Sequence, residues 1–265
     1  MKALLDFYNL KEKPFNLLPN PRFLYLSDQY HEAKDKLAYF LNDRSASLYL
    51  YGPVGSGKTS LLRLIISEVA EDKKINARLI VAPNLKTSNQ LLRSFCSEFG
   101  VKTRRSYQDN LRLFETFLLQ QAKHDNFPLL LVDESQNLTK EQLKLVHYLL
   151  NFVSNTKVLL MICLVGQPEL AEKINRFPSL RSRLISASVS EMTFKDMKKM
   201  IVFRWSIASK QPIPFEEKVY REIYNQTKGN PRLTCKLCDM LLLQGLLKKT
   251  RKLTSVMVKR AAKEL

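Results

Sequence analysis

Gly52-Pro53-Val54-Gly55-Ser56-Gly57-Lys58-Thr59 fits the pattern G-x-x-x-x-G-K-[ST]. An apolar run, Ser47–Tyr51, precedes it and the apolar-periodic stretch Leu61–Ile66 follows, so the loop stands between a strand and a helix. Glycines in such a loop let backbone N–H groups wrap phosphate oxygens at a helix N-terminus. Lys58 would neutralise the β and γ oxygens and the Thr59 hydroxyl would ligate Mg²⁺. Gly52, Pro53, Val54, Gly55, Ser56, Gly57, Lys58, Thr59 and Ser60 are therefore the candidate nucleotide-binding residues. A second apolar run, Leu129–Val132, ends in Asp133-Glu134. Asp133 would hold Mg²⁺ through water and Glu134 would polarise the attacking water. Small-molecule kinases share the phosphate loop but rarely present two acids there, so the pair points to nucleoside triphosphate hydrolysis.

A third apolar run, Val158–Val165, ends in Gly166-Gln167, whose polar tip should lie between the phosphate loop and the acidic strand end. Gln167 reads either as a sensor of the γ-phosphate and the water or as a turn amide that satisfies backbone groups before Pro168. Arg176, Arg181 and Arg183 follow within eight residues. One of them offered to a neighbouring subunit's γ-phosphate would act as an arginine finger, which requires an oligomer. Gly229-Asn230-Pro231-Arg232 opens a helix, and Arg232 would sense nucleotide in its own subunit.

These residues need a scaffold, and 265 residues at 30.8 kDa allow one large α/β unit and a smaller appendage. Strand-like runs at Ser47–Tyr51, Ala77–Ala82, Pro128–Val132 and Val158–Val165 alternate with helical periodicity, the pattern of a parallel sheet covered on both faces. After about Ser190 only amphipathic helical segments remain: Phe194–Ser209, Glu216–Thr227, Pro231–Leu247 and Thr254–Lys263. The first 27 residues, with Pro14, Pro19, Pro21 and five aromatics, read as an ordered but irregular arm packed on the core. Ser27 reads as the N-cap of a helix running to about Leu41. The expected domains are an arm over 1–27, an α/β phosphate-loop domain over 28–190 and a helical lid over 191–265.

The net charge of +18, from 43 Lys and Arg against 25 Asp and Glu, exceeds what solubility requires and points to a polyanionic partner. Residues 232–265 carry nine Lys and Arg against two acids, including Lys248-Lys249-Thr250-Arg251-Lys252. A second patch, Lys102-Thr103-Arg104-Arg105-Ser106-Tyr107, joins two helices of the α/β domain. With Lys86 and Thr87, its Lys102, Arg104 and Arg105 are candidates to line a DNA backbone. Either patch alone is more often a solvated surface; only a shared face would make both functional. No run approaches the ~18 apolar residues of a membrane span. Met1-Lys2-Ala3-Leu4-Leu5-Asp6 turns polar too soon for a secretory leader, so a soluble, cytoplasmic protein is expected. Four cysteines suit free thiols in a reducing compartment, and Cys235-x-x-Cys238 has no second pair to make a zinc site.

The pieces Phe7-Tyr8-x-Leu10, Pro14-Phe15, Asn20-Pro21-Arg22-Phe23-Leu24-Tyr25-Leu26 and His31-Glu32-Ala33 join the phosphate loop, Val132-Asp133-Glu134-Ser135-Gln136-Asn137-Leu138, Leu164-Val165-Gly166-Gln167-Pro168-Glu169-Leu170 and Gly229-Asn230-Pro231-Arg232-Leu233. Together, over most of the chain, they resemble AAA+ ATPases of the ExeA-like group, related to the transposition regulators TnsC and MuB. The arm and the Gly-Gln-Pro-Glu-Leu run are the specific parts; Ser135 stands where the group usually has Ala. The resemblance implies an AAA+ parallel-sheet sandwich with a small C-terminal helical lid. It also implies Walker A at Gly52–Thr59, Walker B at Asp133 and Glu134, sensor one at Gln167, sensor two at Arg232 and the finger at Arg183. ATP and Mg²⁺ are the expected cofactors. Secretion members of the group also carry a membrane span and a wall-binding domain, neither of which is expected here. The preferred expectation is an ATPase that forms a homo-oligomeric ring or filament on double-stranded DNA with ATP and recruits or licenses a transposase. The alternative is an assembly or remodelling ATPase of a secretion or pilus system that acts on protein without DNA.

Overall fold

The computed structural model describes residues 2–44, 46–69, 71–81, 85–153 and 158–265. Its helices are α1 (Lys2–Tyr8), α2 (Asp28–Asp43), α3 (Lys58–Val69), α4 (Ser88–Glu98), α5 (Tyr107–Lys123), α6 (Lys140–Leu149), α7 (Pro168–Asn175), α8 (Pro178–Arg181), α9 (Phe194–Ala208), α10 (Glu217–Thr227), α11 (Pro231–Leu247) and α12 (Ser255–Ala261). Its strands are β1 (Ser47–Tyr51), β2 (Ile75–Ile80), β3 (Phe127–Val132), β4 (Met161–Gly166) and β5 (Leu184–Ser188). The chain divides into two compact units, one of Gln29–Pro53 and Leu61–Val189, the other of Met1–Asp28, Val54–Ser60 and Ser190–Leu265.

The first unit is an all-parallel sheet in the order β2-β3-β4-β1-β5. Parallel neighbours need crossover connections, and helices supply them, so both faces are covered. Two of the three interior strands show the consequence: every residue of β3 and β4 is buried, and both read as nearly unbroken apolar runs. On one face Leu130, Val132, Ile162 and Leu164 join Leu91, Phe95, Phe114 and Leu118 of α4 and α5 in a single core. Edge strands β2 and β5 keep several residues half-buried or exposed. β5 carried no expectation, because Leu-Ile-Ser-Ala-Ser is short and only its first and fourth residues are buried. β2 begins two residues before the expected Ala77, and Ala82, the expected end, lies outside the described residues. β4 begins only at Met161; Val158 makes an isolated bridge to Val153 instead.

The second unit gathers both ends of the chain. The arm begins as a helix, α1, where an irregular segment was expected, because the prolines start only at Pro14 and leave Lys2–Tyr8 free to coil. The arm falls in one unit with the C-terminal helices. The reason is Arg204 of α9, whose guanidinium donates to the carbonyls of Pro14 (2.9 Å), Asn16 (2.8 Å) and Phe23 (3.1 Å) and lies over the Phe23 ring. Lys13 pairs with Asp239 at 3.1 Å, and the Tyr8 hydroxyl donates to Leu242 O at 3.1 Å. Burial pushes the Tyr8 phenol up to about 12, against the opposing charge of Arg251. The Ser27 hydroxyl is buried without a hydrogen bond, so it does not cap α2 as expected.

The C-terminal helices follow the sequence closely because their end signals are strong: Asn230 accepts from Leu233 N at 3.1 Å and Pro231 occupies the first turn of α11. Cys235 and Cys238 are buried free thiols on this helix, both pushed up by burial. No helix among the described residues is long and apolar enough to cross a membrane.

Charge-assisted bonds contribute roughly 1.5–3 kcal/mol each when geometry is good, and less where solvent competes. Arg204→Met is therefore expected to lower unfolding stability by about 2–4 kcal/mol and to expose the Pro14–Phe23 segment to limited proteolysis. Denaturant melts with a protease time course check both.

Candidate nucleotide site

Parallel strands all end at one edge, and the order β3-β4-β1 puts the end of β4 between the ends of the other two. Gly52 N donates to Gly166 O at 3.2 Å, carrying the β1–β4 ladder one step past β1. A Cβ on Gly52 would stand 2.3 Å from Val189 O, so only glycine fits where the chain leaves the sheet. Asp133, just past β3, is 2% exposed; its N–H donates to Ile80 O at 2.8 Å and its Oδ1 accepts from Glu134 N at 2.9 Å. Glu134 itself has φ 54, a left-handed conformation unusual for a residue with a side chain. Behind it, burial first and the Asp133 charge second push the Cys163 thiol up to about 12, so the sheet interior here is apolar and senses that carboxylate.

One side chain that carried no assigned role joins two predicted residues. Gln136 Nε2 donates to Glu134 Oε2 at 2.6 Å, and Gln136 Oε1 accepts from Gln167 N at 3.0 Å. Lys173 of α7 donates to Gln136 O, and to Leu138 O at 3.0 Å, which fastens the turn that carries Gln136. The structure thus brings Asp133, Glu134 and Gln167 to one edge. Gln167 uses its backbone N–H there; its side chain does not cap α7.

The phosphate loop shows its own local logic. Gly55 has φ +79 and Gly57 φ +95, values that favour glycine. Asn230 Nδ2 donates to Val54 O at 2.7 Å and Arg232 N donates to Gly55 O at 3.2 Å, so the start of α11 grips the loop backbone. Lys58 is 8% exposed, with Nζ 3.4 Å from Ser56 Oγ. Residue by residue the chemistry suits the expected guests: a glycine cradle and an ammonium suit phosphate, and a threonine hydroxyl and an aspartate carboxylate, Thr59 in one unit and Asp133 in the other, are oxygen donors of the kind Mg²⁺ takes. The Arg232 side chain is exposed on the first turn of α11, beside the loop its backbone touches.

Arg176, Arg181 and Arg183 are all exposed. Arg176 lies 4.0 Å from Glu172, and the Arg183 charge helps burial depress the pKa of His147, whose ring packs 5.6 Å from Phe177.

The basic loops of the sheet unit are built rather than merely exposed. Fully buried Asn110 accepts from Arg104 N at 2.7 Å and donates to Arg104 O at 3.1 Å and Asn89 Oδ1 at 3.0 Å; Asn89 Nδ2 donates to Arg105 O at 3.1 Å. Thr87 caps α4, and Gln142 Nε2 donates to Leu85 O at 2.7 Å. Lys86 and Thr87 are thereby joined through the first turn of α4 to Arg104 and Arg105; Lys102 is exposed on the same connecting segment. Nothing in the residue types Asn110, Gln142 or Gln136 marked them as loop anchors, since an amide's partners are set by the fold.

A Cβ on Gly55 would meet Asn230 Oδ1 at 2.7 Å and Arg232 Cβ at 2.8 Å, in a backbone conformation already strained for alanine. Gly55→Ala is expected to weaken ATP binding about tenfold or more and to lower stability by about 1–2 kcal/mol. Titration with a fluorescent ATP analogue and a thermal melt separate the two effects.

Comparison with known proteins agrees with this geometry. The chain is 31% identical over 98% of its length to General secretion pathway protein A of Aeromonas hydrophila, and spans 48% of that relative, about half its length. Its fold is similar to that of Cdc6p from Pyrobaculum aerophilum, with TM-score 0.76, 15% identity and coverage of 96% of this chain and 71% of that one. It is also similar to the Aeropyrum pernix ORC1 protein solved in complex with DNA, with TM-score 0.73, 16% identity and coverage of 96% and 70%. Residues 42–174 match the AAA domain family, from the end of α2 through the phosphate loop, the acid pair and nearly all of α7, and the chain belongs to that family.

Proposed function

We propose that this AAA protein hydrolyses ATP to ADP and phosphate, assembles as a homo-oligomer on double-stranded DNA when ATP is bound, and recruits or licenses a transposase there. Bound Mg²⁺-ATP would supply the phosphoanhydride and a divalent charge on its oxygens. In this reading Gly52–Ser60 bind the phosphates through backbone N–H groups, Lys58 neutralises their charge, and Thr59 and Asp133 hold the metal. Glu134 takes the proton of the attacking water, Gln167 and Arg232 sense the nucleotide, and Arg183 reaches a neighbouring subunit's γ-phosphate. Polymer state would then report nucleotide state, and hydrolysis would release the assembly in the cytoplasm.

The observation that carries the DNA part is the joined pair of basic loops. Arg104 and Arg105 sit on a segment whose backbone is fixed by Asn110 and Asn89, next to Lys86 and Thr87. A preordered row of cations loses little conformational entropy when it meets phosphate, which favours binding by the backbone without base readout. The DNA complex of the structurally similar ORC1 protein is in keeping with this reading. Licensing of a transposase rests on the resemblance to TnsC and MuB.

A specific observation favours a second reading. The 31% identity over nearly the whole chain to General secretion pathway protein A supports an assembly ATPase of a secretion or pilus system. The same nucleotide chemistry serves both.

Binding of a long random-sequence duplex, measured with ATP, with ADP and without nucleotide across a salt series, distinguishes them. ATP-dependent binding that weakens steeply with salt and disappears in Lys58→Ala is the expected result. Arg104→Ala and Arg105→Ala should each reduce the magnitude of the log–log salt slope by about 1. No nucleotide-dependent retention at any salt would leave the secretion reading standing.

A further inference from the structure

Hydrolysis requires more than a carboxylate at the right place in the sequence; the carboxylate must be held in one orientation, because a misplaced general base loses much of its effect. Glu134 leads a 3-10 turn, Ser135–Asn137, in a left-handed conformation, and its carboxylate is half-buried. A glutamate side chain, with several rotatable torsions, has many rotamers open to it unless something selects one. Gln136 makes that selection. Its amide nitrogen donates to Glu134 Oε2 at 2.6 Å while its amide oxygen accepts the Gln167 N–H at 3.0 Å, so one planar group spans from the acid after β3 to the tip of β4.

The bridge is braced on both sides. The Lys173 ammonium, on the second turn of α7, donates to Gln136 O and to Leu138 O (3.0 Å), tying the Gln136 backbone to α7. Gly166 leaves the space the amide occupies: a Cβ there would stand 2.7 Å from Gln136 Oε1. Ser135 Oγ donates to Val132 O at 2.7 Å and closes the turn onto the strand. Glutamate at 136 would place a second carboxylate against Glu134, and methionine would fill the same volume with neither donor nor acceptor.

We propose that Gln136 is the positioning residue of the hydrolytic step: it orients the Glu134 carboxylate and makes that orientation depend on the position of the β4 tip at Gln167. Any shift of the β4–α7 corner is carried to Glu134 through one amide, without passing through the phosphate loop. This deepens the proposed ATP hydrolysis and rests on Glu134 being the group that activates water.

The test compares steady-state ATP hydrolysis, nucleotide affinity and melting temperature for the full chain, Gln136→Met, Gln136→Glu and Glu134→Gln. Gln136→Met is expected to lower kcat about 10–100-fold with KM and ATP affinity within about threefold, the split of a group that acts only after binding. Gln136→Glu, which keeps length and an acceptor for Gln167 N–H, is expected to be at least as slow. A folded Gln136→Met or Gln136→Glu protein with the unsubstituted kcat overturns the proposal, and so does a loss confined to ATP affinity. Full turnover in Glu134→Gln would instead overturn the reading of Glu134, whatever the Gln136 variants do.

Discussion

The rest of the molecule depends on parallel pairing around β4. Because β3, β4 and β1 run the same way and lie side by side, the residues that follow them emerge at one edge, although 114 positions of sequence separate Gly52 from Gly166. A parallel sheet has to be buried on both faces to retain its hydrogen bonds and its apolar surface, and this demand accounts for the helical crossovers and the unbroken apolar strands. The same demand leaves polar chemistry only at the strand ends. Asp133 illustrates the economy of such a site: nearly buried, backed by an apolar interior, and set by the last hydrogen bonds of the ladder rather than by a flexible loop.

A second theme is the use of side-chain amides as loop anchors. Asn110 holds both the N–H and the carbonyl of Arg104, Gln142 fastens Leu85 while capping α6, and Gln136 links two strand ends. A typical hydrogen bond adds only about 1 kcal/mol net, whereas a buried polar group left unpaired costs about 1–3 kcal/mol, so such positions specify a conformation more than they stabilise the fold. Asn110 and Gln142 hold the backbone of segments that carry exposed Arg104, Arg105 and Lys86, and ordered basic loops are the product.

Much of this was legible in the residues. The glycine pattern, the acids after an apolar run and the alternation of strand and helix announced the sheet edge, and α11 runs over the expected Pro231–Leu247 because its cap and proline are local signals. What stayed hidden was non-local. β5 lacks a period because its partner covers only one side of a short edge strand. Val158 and its neighbours are apolar enough to join β4 yet stand outside its ladder, since burial without a pairing partner does not make a strand. Ser27 has the residue type of a cap, but its hydroxyl is enclosed without a partner. Gln136 was visible only as part of a motif, and the N–H it receives comes from a residue 31 positions away.

The arm has a temporal consequence. Tyr8 bonds to a carbonyl 234 residues later, and Arg251 donates to Phe7 O across 244 residues. During synthesis the sheet strands, which end at Ser188, leave the ribosome while the partners of the arm are still unmade. The arm, made before the sheet strands, therefore reaches its native contacts after them, and Tyr8 of α1 must wait for α11 before its hydroxyl is bonded.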